Sequence, residues 1–310
     1  MNGVLLIDKP AGMTSHDVVA RVRRIIGERR VGHAGTLDPF ATGLLVILIG
    51  GATRLAQFLS GADKEYEAVI RLGYATDTGD LTGRRIDQDA QPNPLELTAD
   101  EIEAAMASLR GDIEQVPPMY SAKKIAGRKL YEHARRGEEV ERQPVRAKIH
   151  ELKIVRRNGG LLAASENGCA DLRVRVVCSA GTYVRTLAED LGKKLGLGAH
   201  LTELRRTRSG KFAIETAISL SELADLAASR SLDQVMISPN DAVLHLPWVE
   251  LDAEQTRRTA QGNDVHANGP ANAWRHGESI RLVHQGELIA VGRFDSQRLT
   301  IHPAVVLTNA

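Results

Sequence analysis

Gly32-His33-Ala34-Gly35-Thr36-Leu37-Asp38-Pro39-Phe40-Ala41-Thr42-Gly43, running on into Leu44-Leu45-Val46-Ile47-Leu48-Ile49-Gly50, decides how this chain is read. The second half is an unbroken apolar run closed by Gly50-Gly51, the pattern of a strand buried on both faces. The first half is a loop with three glycines, two threonines, one imidazole and one carboxylate. A loop tied to a buried strand is a rigid place to hold a reactive group, and Asp38 is its only acid. Gly32 and Gly35 leave room for close approach by a bulky ligand. Read in isolation, Asp38-Pro39 is first of all a turn that starts a short helix or feeds the strand.

Upstream, Val4–Ile7 reads as a short buried strand leading to Lys9-Pro10. Ser15 is the expected cap of a helix with Val18, Val19, Val22, Ile25 and Ile26 on one face, ending near Gly27. Downstream, Tyr66, Ala68, Ile70, Leu72 and Tyr74 alternate as one face of a strand. Asp77 to Gly83 is a turn-rich loop whose Asp77 and Asp80 either cap turns or touch a substrate. Thr98-Ala99-Asp100-Glu101 is a capping box opening a helix with Ile102, Ala105, Met106 and Leu109 inward. Residues 114–146 are polar, basic and weakly periodic, too long for a plain connection. Val145–Val155 and Leu172–Cys178 read as strands around a polar excursion with Asn158-Gly159-Gly160. Tyr183 to Leu195 has helical spacing, and Ser219-x-x-Glu222 opens a last helix. Ile237-Ser238-Pro239-Asn240 is the expected boundary between residues 1–237 and a small β unit at 245–310, where Ile280–His284 and Leu288–Arg293 flank Gln285-Gly286 as a hairpin.

The 310 residues allow one large or two ordinary domains, and 43% hydrophobic with 25% charged residues is ordinary for a soluble protein. No run reaches the length of a membrane helix, and residues 1–10 lack a signal peptide's pattern. Cys169 and Cys178 are the only cysteines and the ten histidines are scattered, so a cytoplasmic, metal-free protein is the default. Net charge is only +1, but nine Lys/Arg face four acids between Met119 and Lys148. Arg205, Arg206, Arg208 and Lys211 form a second cluster. Such clusters are either phosphate tracks or solvated faces. Aromatics, at 4%, are too sparse for a stacking platform.

The central stretch resembles the signature of the tRNA pseudouridine-55 synthase family. So do Gly3-Val4-Leu5-Leu6-Ile7-Asp8-Lys9-Pro10, Asp63-Lys64-Glu65-Tyr66, Tyr120-Ser121-Ala122 and Gly181-Thr182-Tyr183-Val184-Arg185-Thr186, in the family's order. The resemblance covers roughly residues 3–225 and more loosely the tail. It implies an α+β catalytic domain on a mixed, largely antiparallel sheet flanked by helices, followed by a small RNA-binding PUA-like β-barrel. It implies isomerisation of uridine to pseudouridine in the T loop of tRNA, with base flipping, no cofactor and no obligate protein partner. Under it Asp38 is the catalytic carboxylate and Arg185 its partner; Tyr66 stacks on the base and helps move the C5 proton. Tyr183 and Leu204 line the base pocket, Lys9 lies near the site, and His33 holds the base flipped out. The insertion at 114–146 resembles a thumb that clasps the loop.

The residues themselves leave alternatives. Arg185 sits near a helix start, where the dipole disfavours a cation, so it meets an anion or reaches solvent. Tyr66 is core or functional. A nucleosidase would also act at C1′, but normally needs two carboxylates across the bond, and this stretch offers one. A non-catalytic RNA binder explains the basic clusters but not Asp38. The carboxylate's route, by attack at C1′, addition at C6 or removal of a sugar proton, is open.

Overall fold

The computed structural model describes residues 1–86, 93–121, 123–125, 127–134, 136–138, 140–156, 160–266 and 274–307. Of the segments read above, Ala122, Ala126, Arg135 and Glu139 of the 114–146 stretch, Asn158-Gly159, and residues 267–273 and 308–310 of the tail lie outside the described residues. The architecture is α+β. The main sheet contains β1 (Gly3–Lys9), β2 (Val31–Ala34), β3 (Thr42–Ile49), β4 (Lys64–Leu72), β5 (Gly111–Gln115), β6 (Val145–Ile154), β7 (Ala170–Cys178) and β8 (Ala199–Ser209). Its principal order is β1-β3-β8-β4-β7-β6-β5, with β2 paired to β3. Only the short β3–β8 contact, Thr42 with Arg205 and Gly43 with Arg206, is parallel in that order. The sheet is therefore mixed and largely antiparallel.

β3 has the character its apolar run demands: Leu44 to Ile49 are all at most 1% exposed. Fully burying one such side chain stabilises by about 1.5–3 kcal/mol relative to exposure, so this strand anchors whatever precedes it. One face of it joins α1 (Ser15–Ile26), and the other joins the C-terminal unit. α1 closes on Gly27 in the left-handed conformation, as the sequence suggests. Its cap is Thr14 rather than Ser15, because Thr14 and Asp17 form a reciprocal capping box. Ser15 is buried one residue further in, where its hydroxyl accepts from Leu37 N at 2.9 Å and donates to Leu37 O at 3.1 Å. α2 (Ala99–Ala107) and α4 (Leu220–Ala228) start at the Thr98/Glu101 and Ser219/Glu222 capping boxes. α3 (Val184–Lys194) packs along β8, on the core face of the sheet that carries Tyr66, Ala68, Ile70 and Leu72. Strand β4 ends at Leu72, and Tyr74 lies beyond it against the His200 ring.

In the C-terminal unit five strands run in the order β9-β11-β12-β13-β10: β9 (Trp248–Glu250), β10 (Val265–His266), β11 (Ser279–His284), β12 (Glu287–Asp295) and β13 (Thr300–Val306). This is half of a barrel, and its β11–β12 hairpin turns at Gln285-Gly286 with both residues at positive φ. The unit does not hang from a linker. Val283, Leu288, Val291 and Val305 share one apolar cluster with Val4, Leu6, Leu44, Val46 and Leu48. The expected boundary itself is tied down, since Ile237 exchanges two 2.9 Å backbone hydrogen bonds with Val4.

The second basic cluster does not present one continuous cationic face. Alternation along β8 turns Arg206 away from Arg205, and a register shift between Arg206 and Arg208 returns Arg208 to the outer face. Arg206 is buried, Arg205 pairs with Asp8, Arg208 pairs with Glu65, and the Lys211 ammonium contacts the Asp241 carbonyl.

Gly43 marks the point where β3 and β8 meet. Its φ is +98°, and an added Cβ would lie 2.3 Å from the Arg206 carbonyl oxygen. Gly43→Ala is therefore expected to lower the melting temperature far more than Gly27→Ala, whose added methyl meets open space. Thermal unfolding of both variants checks this: Gly27→Ala should cost on the order of 1 kcal/mol, a shift of a few degrees at this chain length.

Candidate active site

The loop between β2 and β3 holds Asp38 at the rim of a cavity of about 240 Å³. Lys9 and Ser15 hold that loop from beneath. Lys9 is 0% exposed, and its ammonium donates to the Pro10 and Pro39 carbonyls at 2.9 and 3.2 Å. Burial pushes its pKa down to about 8, against the pull of the Asp38 carboxylate. Lys9 is thus a strut of the loop; the cavity wall is made by other residues.

Arg185, on the first turn of α3, is 4% exposed and turns inward, not to solvent. Its Nε lies 2.8 Å from Asp38 Oδ2 and its Nη2 donates to Asp38 Oδ1 at 3.2 Å, a two-point grip. The remaining reach of the guanidinium goes to Thr78 O at 2.8 Å and Tyr120 O at 2.7 Å. Asp80 stands behind it, 3.8 Å from Nη1. That carboxylate is buried and its Oδ1 accepts from Thr78 Oγ1, Thr82 N and Thr82 Oγ1. Asp80 therefore both caps its turn and faces the site through Arg185, while Asp77 accepts from Arg84 N across the same loop. Burial raises the Asp38 pKa above the ordinary aspartate value; Arg185 opposes this and Asp80 adds to it. The pairing expected with Arg185 is present, and the structure makes it two-point, but it does not outweigh desolvation.

Tyr66 and Leu204 form the floor with Arg206, and Tyr183 and Val184 close the side. Tyr66 is 8% exposed, and burial raises the pKa of its hydroxyl. Tyr183 is placed by Gln115 at the end of β5: Tyr183 N donates to Oε1 at 2.9 Å, and Nε2 donates to Tyr183 O at 3.1 Å. His33 lies outside the cavity wall, on β2, with its ring 5.5 Å from His16 in an edge-on arrangement. Burial, with the nearby Arg206 guanidinium, pushes its pKa down to about 4, so it is neutral at pH 7. The structure thus gathers Asp38, Arg185, Tyr66, Tyr183 and Leu204 around one cavity, sets Lys9 beneath it and leaves His33 to one side. It adds Ser15, Asp80, Gln115 and Arg206, which the sequence reading did not place. A Thr14-x-x-Asp17 box was visible and would have moved the cap off Ser15; Gln115 carries no local signal.

A buried arginine gripping a carboxylate beside a cavity that two tyrosines and a leucine also line is the arrangement of an enzyme site. The chain belongs to the TruB family of pseudouridylate synthases: the family's N-terminal domain model matches residues 23–184 and the tRNA pseudouridylate synthase B C-terminal domain model matches residues 185–245. It is similar to the tRNA pseudouridine synthase B of Aromatoleum aromaticum, 46% identical over 95% of this chain and 89% of that protein. It is also similar to that of Solibacter usitatus, 40% identical over 99% of this chain and 100% of that protein. Among solved structures it resembles a chain of a Cbf5-Nop10-Gar1 complex, with a TM-score of 0.74 and 29% identity over 99% of this chain and 85% of that one.

The balance at Asp38 can be read directly. Following its carboxyl by carbon NMR against pH should give a midpoint above the ordinary value of about 3.9. Asp80→Asn removes a like charge and should move that midpoint down; an unmoved midpoint would show that Asp80 acts on Arg185 alone.

Proposed function

We propose that this chain isomerises the uridine at position 55, in the T loop of tRNA, to pseudouridine, with Asp38 as the catalytic carboxylate. The observation that carries the reading is the Arg185-gripped Asp38 at the mouth of a cavity floored by Tyr66 and Leu204. The names of the curated relatives support tRNA as the substrate. The target base leaves its stack and enters the cavity at a cost on the order of a few kcal/mol, offset by phosphate and pocket contacts. Tyr66 lies under the ring, where its hydroxyl can receive or relay the C5 proton. Tyr183 and Leu204 hold the ring while it turns about, and Arg185 orients the carboxylate at C1′ or C6. Excluding water keeps the detached base in place. His33, beside the loop, is positioned for the RNA rather than for the ring.

A nucleosidase reading requires a second carboxylate across the scissile bond. Asp80 does not fill that role, because it is buried behind Arg185 with its turn's donors on it.

Residues 1–237 form the catalytic unit in this reading and residues 245–310 an RNA-binding one. The basic insertion supplies the clasp: its described part has a two-strand ribbon at 124–125 and 128–129 and a helical turn at Leu130–Ala134, and Lys123 reaches the cavity wall. Replacing Lys123, Arg128 and Arg136 with Gln should weaken RNA binding and flatten the slope of log affinity against log salt. An unchanged slope would show a solvated face.

Asp38→Asn tests the reading. Asparagine keeps the volume but supplies no carboxylate, so pseudouridine formation should fall by several orders of magnitude, each factor of ten being about 1.4 kcal/mol of barrier. Binding to a T-loop RNA should stay within roughly tenfold, because phosphate contacts position the substrate elsewhere. A folded variant converting uridine near the wild-type rate would overturn the assignment.

A further inference from the structure

Arg206 is among the largest fully buried side chains of the molecule, 1% exposed, yet it has no carboxylate partner among the described residues. Its Nε donates to Leu44 O at 2.7 Å, Nη2 to Gly35 O at 3.0 Å and Nη1 to Thr36 O at 3.4 Å. Those three carbonyls bracket the Asp38 loop on both sides. Strand register explains the position: Arg206 lies opposite Tyr66 on β4 and beside Gly43 on β3. Lys64, two residues before Tyr66, is a second buried cation of the same wall. Its ammonium donates to the Ser60 and Ala62 carbonyls; among the described residues no carboxylate lies within ion-pair distance, and the Asp63 carboxylate acts on it only from further away. The two converge: a methyl built on Gly35 would lie 3.5 Å from Arg206 Nη1 and 3.9 Å from Lys64 Cε.

A buried cation without an anion is expensive, and carbonyl dipoles offset it only in part. Arg185 has its anion in Asp38; Arg206 and Lys64 do not. The cavity thus has one electrically balanced side and one cationic side. What the cationic side suits follows from the reaction, and this step rests on the reading that the cavity takes the target uracil. If the N1–C1′ bond breaks through attack by Asp38 at C1′ or loss of a sugar proton, its electron pair stays with the ring. Charge then spreads over N1, O2 and O4. If Asp38 adds at C6, the C5–C6 pair moves toward O4. Each route makes the ring anionic before C5 bonds to C1′, after which C5 loses its proton and N1 gains one.

We propose that Arg206, with Lys64 beside it, is the electrostatic counterpart of the ring's transient negative charge, and that it does this in addition to pinning the Asp38 loop. The charge is fixed before the reaction begins, so no reorganisation is needed when the ring becomes anionic.

The test compares Arg206→Gln with Arg206→Lys in the full-length protein, reading single-turnover conversion, T-loop RNA binding and melting temperature. Neither variant reproduces the guanidinium fork, so a purely structural role predicts equal losses that track the melting temperature. The proposal predicts that Gln loses about 100- to 1,000-fold in rate, the cost of removing one such stabilising donor, with binding within a few-fold. Lys should keep its rate within about tenfold of wild type at a similar melting temperature. Equal rates for the two variants overturn the proposal. Should Arg206→Gln not fold, Lys64→Gln reads the same wall: a rate loss of tenfold or more with unchanged binding supports it, and a wild-type rate overturns it. Failure of the wild-type protein to isomerise uridine would instead sink the functional reading itself.

Discussion

A guanidinium taken out of water needs an anion, and a half-buried carboxylate gains from a cation. Asp38 and Arg185 answer both requirements with one contact, 147 residues apart in sequence. Such a pair adds little net stability, whereas breaking it by removing one partner costs about 3–5 kcal/mol. Its surroundings are arranged to hold its geometry. The Thr78 and Tyr120 carbonyls use up the free side of Arg185, so the guanidinium has one orientation in which its donors are satisfied. Lys9 and Ser15 fix the loop that carries Asp38, and Gln115 fixes the turn that precedes Arg185. Three remote segments are therefore registered on one carboxylate.

What could be read from the sequence was what is local. The capping boxes at Thr98 and Ser219, the left-handed stop at Gly27 and the buried run at Leu44–Ile49 each lie within a few residues, and each forms as its pattern requires. The α+β class with its mixed sheet followed from the resemblance, and the strand order agrees with it. The failures were failures of direction. Arg205, Arg206 and Arg208 are neighbours in the chain, but the pleat turns Arg206 away from Arg205, and a register shift after Arg206 brings Arg208 back to the outer face, where Arg205 and Arg208 find acids. Linear charge density reports neither the alternation nor the bulge.

The site was legible as a set of motifs but not as a set of contacts. Asp38, Tyr66, Tyr183, Arg185 and Leu204 stand in five segments that no periodicity links. Asp80 lay in view within Thr78-Gly79-Asp80-Leu81-Thr82, undecided between turn and site. The turn role holds, and the same carboxylate faces Arg185 from behind without lining the cavity. Ser15 shows the opposite case. A residue assigned to a helix terminus on local grounds proved to be a fastener between α1 and the loop, since its neighbour already supplied the cap.

The apolar cluster that β1 and β3 share with the C-terminal half-barrel has a consequence for measurement. Two bodies on a flexible tether can each seek their own contact, so the spacing between contacts is loosely specified. Here the same strand that carries the Asp38 loop at one end lies against Val283, Leu288 and Val305 along its flank. Anything gripped by the half-barrel is thereby held at a set offset from the carboxylate, as in the fixed jaws of a gauge. On the function proposed above, an RNA whose base lies at the right distance from its contact with the half-barrel fits both jaws together, and one a few ångströms longer or shorter must deform or let go of one.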